Sequence, residues 1–172
     1  LSSLSVKDVN SYEYIDTFLK TKLEYNITVE NNIDKVTIDA TREDSDSVLK
    51  GTGEKTLDIG DNSFDVTVTS ASGITRTYVV NVTRKANSNA FLSSLEVVGQ
   101  TLSPAFNKNQ LSYTVNVDAL VDKVTINATA EVNTSTINGT GDFNLVTGPN
   151  NFNIDVTSED GTVKTYVIVV NK

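Results

Sequence analysis

The sequence contains no cysteine, no histidine, no methionine and no tryptophan. Without cysteine there is no disulfide staple and no thiolate metal site, which fits either the cytoplasm or a Gram-positive-like cell surface. Without histidine as well, neither a Ser-His-Asp nor a Cys-His nucleophile arrangement can be assembled, and zinc loses its usual ligands. Carboxylates are what remains for acid–base work. A glycoside-hydrolysing pair must face a cleft about 5–9 Å apart, and the acids here scatter over turns and solvent faces. An enzyme is therefore not expected. No stretch of about 18 apolar residues exists, so no membrane-spanning segment is expected. The start lacks the basic-then-apolar pattern of a signal peptide. It opens directly on a repeated motif, which points to a piece of something longer.

Positive charge is also scarce: the formal net charge is −8. Through Lys85 there are 10 Lys and Arg against 14 Asp and Glu, and from Ala86 onward 4 against 8, so each half carries −4. No basic patch is available to neutralise phosphates, and neither nucleic acid nor a membrane surface is expected as a partner. The acidity reads as a solubility feature. Heavy use of Asn and Thr leans towards a secreted surface module. The sequons at Asn26, Asn81, Asn127, Asn133 and Asn138 are nominal glycan acceptors, mostly chance matches in so Asn- and Thr-rich a chain.

What is present is a duplication. Leu1-Ser2-Ser3-Leu4 returns as Leu92-Ser93-Ser94-Leu95, and Asp34-Lys35-Val36-Thr37-Ile38 as Asp122-Lys123-Val124-Thr125-Ile126. Gly51-Thr52-Gly53 returns as Gly139-Thr140-Gly141, and Thr77-Tyr78-Val79 as Thr165-Tyr166-Val167. The period, roughly 88–91 residues, is too long for a solenoid unit and suits a whole small domain. The division expected is one domain over residues 1–85, a polar linker over 86–90 and a second domain over 91–172.

Within each copy the apolar residues alternate. Tyr25, Ile27 and Val29 point one way while Asn26 and Thr28 point the other, and Tyr113, Val115 and Val117 repeat this. Period two in stretches rich in Val, Ile, Thr and Tyr means strands with one buried face. Turn chemistry separates them, as in Asp160-Gly161, Gly60-Asp61-Asn62 and Gly148-Pro149-Asn150. About seven strands per copy are expected, near 3–7, 23–30, 35–41, 47–50, 55–59, 63–70 and 75–84, then 94–98, 111–118, 123–130, 135–138, 143–146, 151–158 and 163–171. The fold class expected is all-β, two tandem antiparallel sandwiches. An odd number of traverses puts the termini of each at opposite ends. With modules of about 35–40 Å, two in series give an expected rod of roughly 70–80 Å.

Two constellations are candidates for binding. Tyr12 and Tyr14 lie in a segment around Val9–Asp16 that is about three residues longer than its counterpart, and they share one strand face. Tyrosine stacks on sugars and offers a hydroxyl, although the same pair would also pack over a sandwich edge. Glu43, Asp44 and Asp46 are weak metal candidates, since calcium needs six to eight oxygens held together and the second copy retains only Glu131 of the three. A solvated acidic turn is the plainer reading, as it is for Asp58 and Asp61. A Lys-to-Asn crosslink from Lys35 or Lys123 would replace missing disulfides, but Asp34 and Asp122 beside them mark exposed turns. No cofactor is expected.

The ordered set Leu92-Ser93-Ser94-Leu95, Leu102-Ser103-Pro104-Ala105-Phe106, Tyr113-Thr114-Val115, Gly139, Gly141, Gly148 with Asn150, Val156-Thr157-Ser158-Glu159-Asp160-Gly161 and Tyr166 resembles the bacterial cadherin-like β-sandwich domain. The first copy has Asp16-Thr17-Phe18 for Pro104-Ala105-Phe106 and Ser72-Gly73 for Asp160-Gly161, and keeps Tyr25, Gly51, Gly53, Asn62 and Tyr78. The resemblance implies an immunoglobulin-like sandwich of exported, multi-domain bacterial proteins, used as a spacer or adhesion module. Its partners would be other domains of the same polypeptide or extracellular polysaccharide. The other uses it leaves open are a carbohydrate- or partner-binding module and the ectodomain of a surface signalling receptor. It implies no calcium: the joint Lys85–Ala90 contains no carboxylate.

Overall fold

Residues that alternate in the sequence alternate in burial. In the computed structural model, which describes residues 1–172, Tyr25, Ile27 and Val29 are buried and Glu24, Asn26 and Thr28 exposed. Seven strands follow one another from the start: β1 (Ser3–Asp8), β2 (Glu24–Val29), β3 (Lys35–Thr41), β4 (Val48–Lys50), β5 (Gly53–Thr56), β6 (Gly60–Thr69) and β7 (Thr75–Arg84). Seven more repeat them: β8 (Leu92–Val97), β9 (Ser112–Asn116), β10 (Lys123–Ala130), β11 (Thr136–Asn138), β12 (Gly141–Asn144), β13 (Pro149–Thr157) and β14 (Val163–Asn171). There is no helix. The chain divides into two units, Leu1–Ala86 and Asn87–Lys172.

Each unit is a pair of sheets. In the first, β1-β3-β5 faces β2-β7-β6-β4; in the second, β8-β10-β12 and β9-β14-β13-β11 take the same order. Pairing is antiparallel throughout except for β2 with β7 and β9 with β14, which run parallel. The cause is the long connection after the first strand, which crosses to the other sheet and lays the next strand beside the last one in the same direction.

One buried cluster fills each unit. In the first it is built around Val6, Val36, Ile38, Val66, Tyr78, Val80 and Val82, and in the second around Val97, Ile126, Ile154, Tyr166, Ile168 and Val170. Leu57 and Leu145 join them from just beyond the short strands β5 and β12. Their N–H groups donate to the Asp34 and Asp122 carbonyls at 2.8 Å. That inward turn ends β5 at Thr56 and β12 at Asn144, earlier than the alternation alone places them.

Two features hold the frame in both units. Gly51 (φ 93°) and Gly139 (φ 92°) pass so close to the neighbouring strand that a Cβ would lie 1.9 Å from the Asp65 carbonyl oxygen and 2.0 Å from that of Asn153. Only glycine fits there. The long connection is fastened by tyrosines. The Tyr25 hydroxyl accepts from the Leu19 N–H (3.0 Å) and donates to the Leu19 carbonyl (3.1 Å), as Tyr113 does with Asn107 (3.1 and 2.7 Å). Tyr78 donates to the Lys20 carbonyl at 3.1 Å and Tyr166 to that of Lys108 at 2.7 Å. All four rings are buried, and each hydroxyl is satisfied at the core's edge, as burial of a polar group requires.

The chain crosses each unit from end to end. In the first it enters beside Thr41, to whose carbonyl the Ser2 N–H donates (2.9 Å), and leaves where the Lys85 N–H meets the Val29 carbonyl (3.0 Å). In the second it enters where the Glu131 N–H donates to the Phe91 carbonyl (2.8 Å) and leaves at the Lys172–Gly148 pair.

Candidate functional site

The extra residues after β1 fold back on it as a short hairpin, with Asp8 as the anchor. Asp8 Oδ1 accepts the N–H groups of Asn10 (2.8 Å) and Tyr12 (3.0 Å), and the Ser11 N–H donates to the Asp8 carbonyl (3.0 Å). An aspartate bonding to the backbone two residues on is a turn-former. Ser11 takes the left-handed conformation (φ 64°) that closes the turn. The returning arm is stitched to β1: the Tyr14 N–H donates to the Val6 carbonyl (2.8 Å), and Glu13 Oε1 accepts from the N–H groups of Val6 and Ile15, both at 2.9 Å.

The hairpin brings Tyr12 and Tyr14 together edge to face, ring centroids 4.9 Å apart. Their surroundings differ. Tyr12 is 64% exposed, while Tyr14 is half-buried and packs against the core of the first unit. Tyr14 Oη donates to Asp8 Oδ2 at 3.1 Å. Burial, and then that carboxylate, push the Tyr14 hydroxyl up to about 12. Burial pulls the Asp8 carboxyl upward, but the N–H groups of Tyr12 and Asn10 and the Tyr14 hydroxyl outweigh it, so Asp8 lies below its ordinary range. The hairpin thus presents one aromatic ring to solvent, its backbone N–H held by Asp8 and its ring against that of Tyr14. The sequence singled out both tyrosines but not Asp8, whose signal is the Asp-x-Asn-Ser turn pattern itself.

The acidic run Glu43-Asp44-Ser45-Asp46 is an exposed turn. Asp44 Oδ1 accepts the Asp46 N–H at 2.9 Å, and Glu43 pairs with Lys20, whose ammonium holds the carboxyl below the usual range. No three carboxylates are grouped so that they could hold a metal ion. Lys35 and Lys123 form exposed pairs with Glu54 and Asp142, each at 2.7 Å. A polar trough of about 400 Å³ on the four-stranded sheet of the first unit is lined by Asn26, Asp61, Asn62, Ser63, Asn81 and Thr83. Its side chains bond chiefly to one another: Asn81 Nδ2 to Asn26 Oδ1 (2.9 Å), Ser63 Oγ to Asn81 Oδ1 (2.8 Å) and Thr83 Oγ1 to Asp61 Oδ1 (2.6 Å).

The sequence matched no curated protein. Among solved structures it is similar to protocadherin gamma B7 extracellular cadherin domains 1–4 (12% identity over 88% of this chain and 48% of that one, TM-score 0.34). It is also similar to the human desmocollin-1 ectodomain (12% identity, 98% and 40% covered, TM-score 0.25). A third similar structure is that of the fibronectin(III)-like modules of Clostridium thermocellum CbhA (9% identity, 90% and 92% covered, TM-score 0.23). The chain spans less than half the length of the two cadherin structures. The family model for the cadherin-like beta sandwich domain matches residues 1–85 and again residues 92–172. With the same pair of sheets built twice over those same residues, the chain belongs to the cadherin-like beta sandwich domain family.

Proposed function

We propose that the two domains form a non-catalytic spacer and adhesion module outside the cell, within a larger bacterial surface or secreted protein. Cadherin-like domains mediate adhesion or act as spacers and are generally non-catalytic. The observation that carries the reading is the path of the chain, which enters each domain at one end and leaves at the other. A pull on its ends runs through the terminal strands. β7 is held by β2 on one side and by ten residues of β6 on the other. These hydrogen bonds lie across the line of pull, so they resist together rather than one at a time. Stretching the whole chain by its termini tests this. The reading expects two resisted steps, each releasing roughly 300 Å, from about 85 residues at about 3.6 Å each. Extension without resistance would remove the spacer role.

A second reading, attachment to an extracellular polysaccharide or partner protein, is favoured by Tyr12, an exposed ring on a turn that its neighbours hold still. Tyrosine offers a face for stacking and a hydroxyl for a sugar at little entropic cost. Cell-wall polysaccharide should be retained by the protein and released about tenfold more readily by Tyr12→Ala, with Tyr14→Phe unaffected. Equal retention by Tyr12→Ala would discard that surface.

A further inference from the structure

The second domain covers its own leading end with the five residues before β8. The Asn87 N–H donates to Glu159 Oε2 (2.9 Å) and the Asp160 N–H to the Asn87 carbonyl (3.1 Å). Ser135 Oγ donates to the Asn89 carbonyl (2.6 Å), and Asn89 Nδ2 to Glu131 Oε2 (3.0 Å). Ala90 is 2% exposed. The Phe91 ring has the Lys164 ammonium 4.1 Å and the Lys108 ammonium 5.5 Å from its centroid, within cation–π reach of both. The peptide is shaped before it docks: Asn87 Oδ1 accepts the Asn89 N–H (2.7 Å), and Asn89 Oδ1 accepts the Phe91 N–H (2.9 Å).

Four of the groups that receive this peptide have counterparts in the first domain. Glu43 stands for Glu131, Ser47 for Ser135, Lys20 for Lys108 and Arg76 for Lys164. The Lys20–Glu43 pair repeats Lys108–Glu131. Glu43, Ser47 and Arg76, with Leu1, Val68 and Ile74, line an open groove of about 500 Å³. Ser47 is 7% exposed, yet its hydroxyl makes no hydrogen bond within the domain, whereas that of Ser135 holds the peptide. A hydroxyl that opens onto a groove without a partner in the domain is suited to a carbonyl acceptor.

We propose that this groove is a seat for an extended peptide of the Asn-x-Asn-Ala-Phe class, continuous with Leu1 and held as Asn87–Phe91 is held in the second domain. The aromatic ring lies by Lys20 and Arg76, the inner asparagine amide donates to Glu43, and its carbonyl accepts from Ser47. Two replacements set the footprint. Ala71 stands in place of Glu159, so the outer asparagine N–H loses its carboxylate. Arg42 stands in place of Ala130, and its Nη1 holds the Ser47 carbonyl at 2.7 Å, leaving the Ser47 hydroxyl to the peptide. The inner three residues therefore carry the interaction.

The test compares the full chain bearing Asn-Ser-Asn-Ala-Phe ahead of Leu1 with the full chain bearing Gly-Ser-Gly-Ala-Gly. The first extension should raise the melting midpoint of the first domain by about 4–8 °C over the glycine control, leaving the second domain unchanged. Nuclear Overhauser contacts should join its phenylalanine ring to the Lys20 and Arg76 side chains. In the Ser47→Ala background the difference between the two extensions should shrink by at least half, a comparison insensitive to the basal effect of that substitution. Equal midpoints for the two extensions, a ring without those contacts, or an undiminished gain in Ser47→Ala would each overturn the proposal. So would concentration-dependent dimerisation abolished by the extension, which would assign the groove to a second copy.

Discussion

Between their first two strands the domains part company. In the first, the connection turns back on β1, bridging Lys7 to Glu13; in the second, it turns onto β9, bridging Ser103 to Thr114 through two 2.8 Å hydrogen bonds. Each connection thereby covers a different open sheet edge, and an uncovered edge invites pairing with another chain. The tyrosine clasps and the two close-approach glycines, by contrast, are the same in both. The positions that did not diverge are those where backbone geometry or a buried hydroxyl allows few alternatives. The hairpin carrying Tyr12 grew where the frame imposes little.

The sharpest way to break that equivalence is at the glycines. Gly51→Ala and Gly139→Ala each place a Cβ against a carbonyl oxygen at a positive φ. Each should cost its own domain at least about 3 kcal/mol. Residue-resolved denaturation by NMR should show the other domain unmoved. A smaller effect is expected at the inner tyrosines. The Tyr78 and Tyr166 hydroxyls make the same clasp, donating to the Lys20 carbonyl at 3.1 Å and to the Lys108 carbonyl at 2.7 Å. Tyr166→Phe and Tyr78→Phe should each cost its own domain about 1 kcal/mol, measured by urea unfolding, and leave the other domain unmoved.

Much of this was readable in advance. β3, β7, β10 and β14 occupy the residues that alternation assigns them, because each strand has one buried face and the period of two is undisturbed. The paired tyrosines fell in phase with the core for the same reason. The parallel neighbours β2 and β7 were not readable, because strand pairing across more than fifty residues leaves no local pattern. Nor did composition distinguish a polar segment in solvent from one whose asparagines are bonding partners. Residues 86–90 read as a polar joint, and in the structure Asn87 and Asn89 bond to Glu159, Ser135 and Glu131. The half-burial of Tyr14 beside the exposed Tyr12 depends on where Asp8 anchors the turn.

The hairpin should also give the first domain pH responses of its own. Burial pulls the Glu13 carboxyl upward, but the N–H groups of Ile15 and Val6 more than offset it, so its folded value lies below the ordinary 4.5. A carboxyl lowered on folding stabilises the fold above its unfolded value, and that contribution fades as pH falls through the folded one. Exchange of the Val6 and Ile15 amides should thus quicken severalfold, beyond the intrinsic pH trend, on acidification below about pH 4.5. Glu13→Gln should show no such step. Tyr14, raised to about 12, runs the other way: its contribution is present below the ordinary 10 and is lost as pH rises towards 12. A phenolate absorbance titration should lose one late-ionising group in Tyr14→Phe, the smallest of these effects.

The account stands on each domain closing its own core. Amide NMR spectra of residues 1–86 and 87–172, prepared as separate proteins, test it against the spectrum of the whole chain. Both pieces should give dispersed peaks that superimpose on those of the intact protein except beside the cut. A piece that gives only the narrow spectrum of an unfolded chain would contradict it.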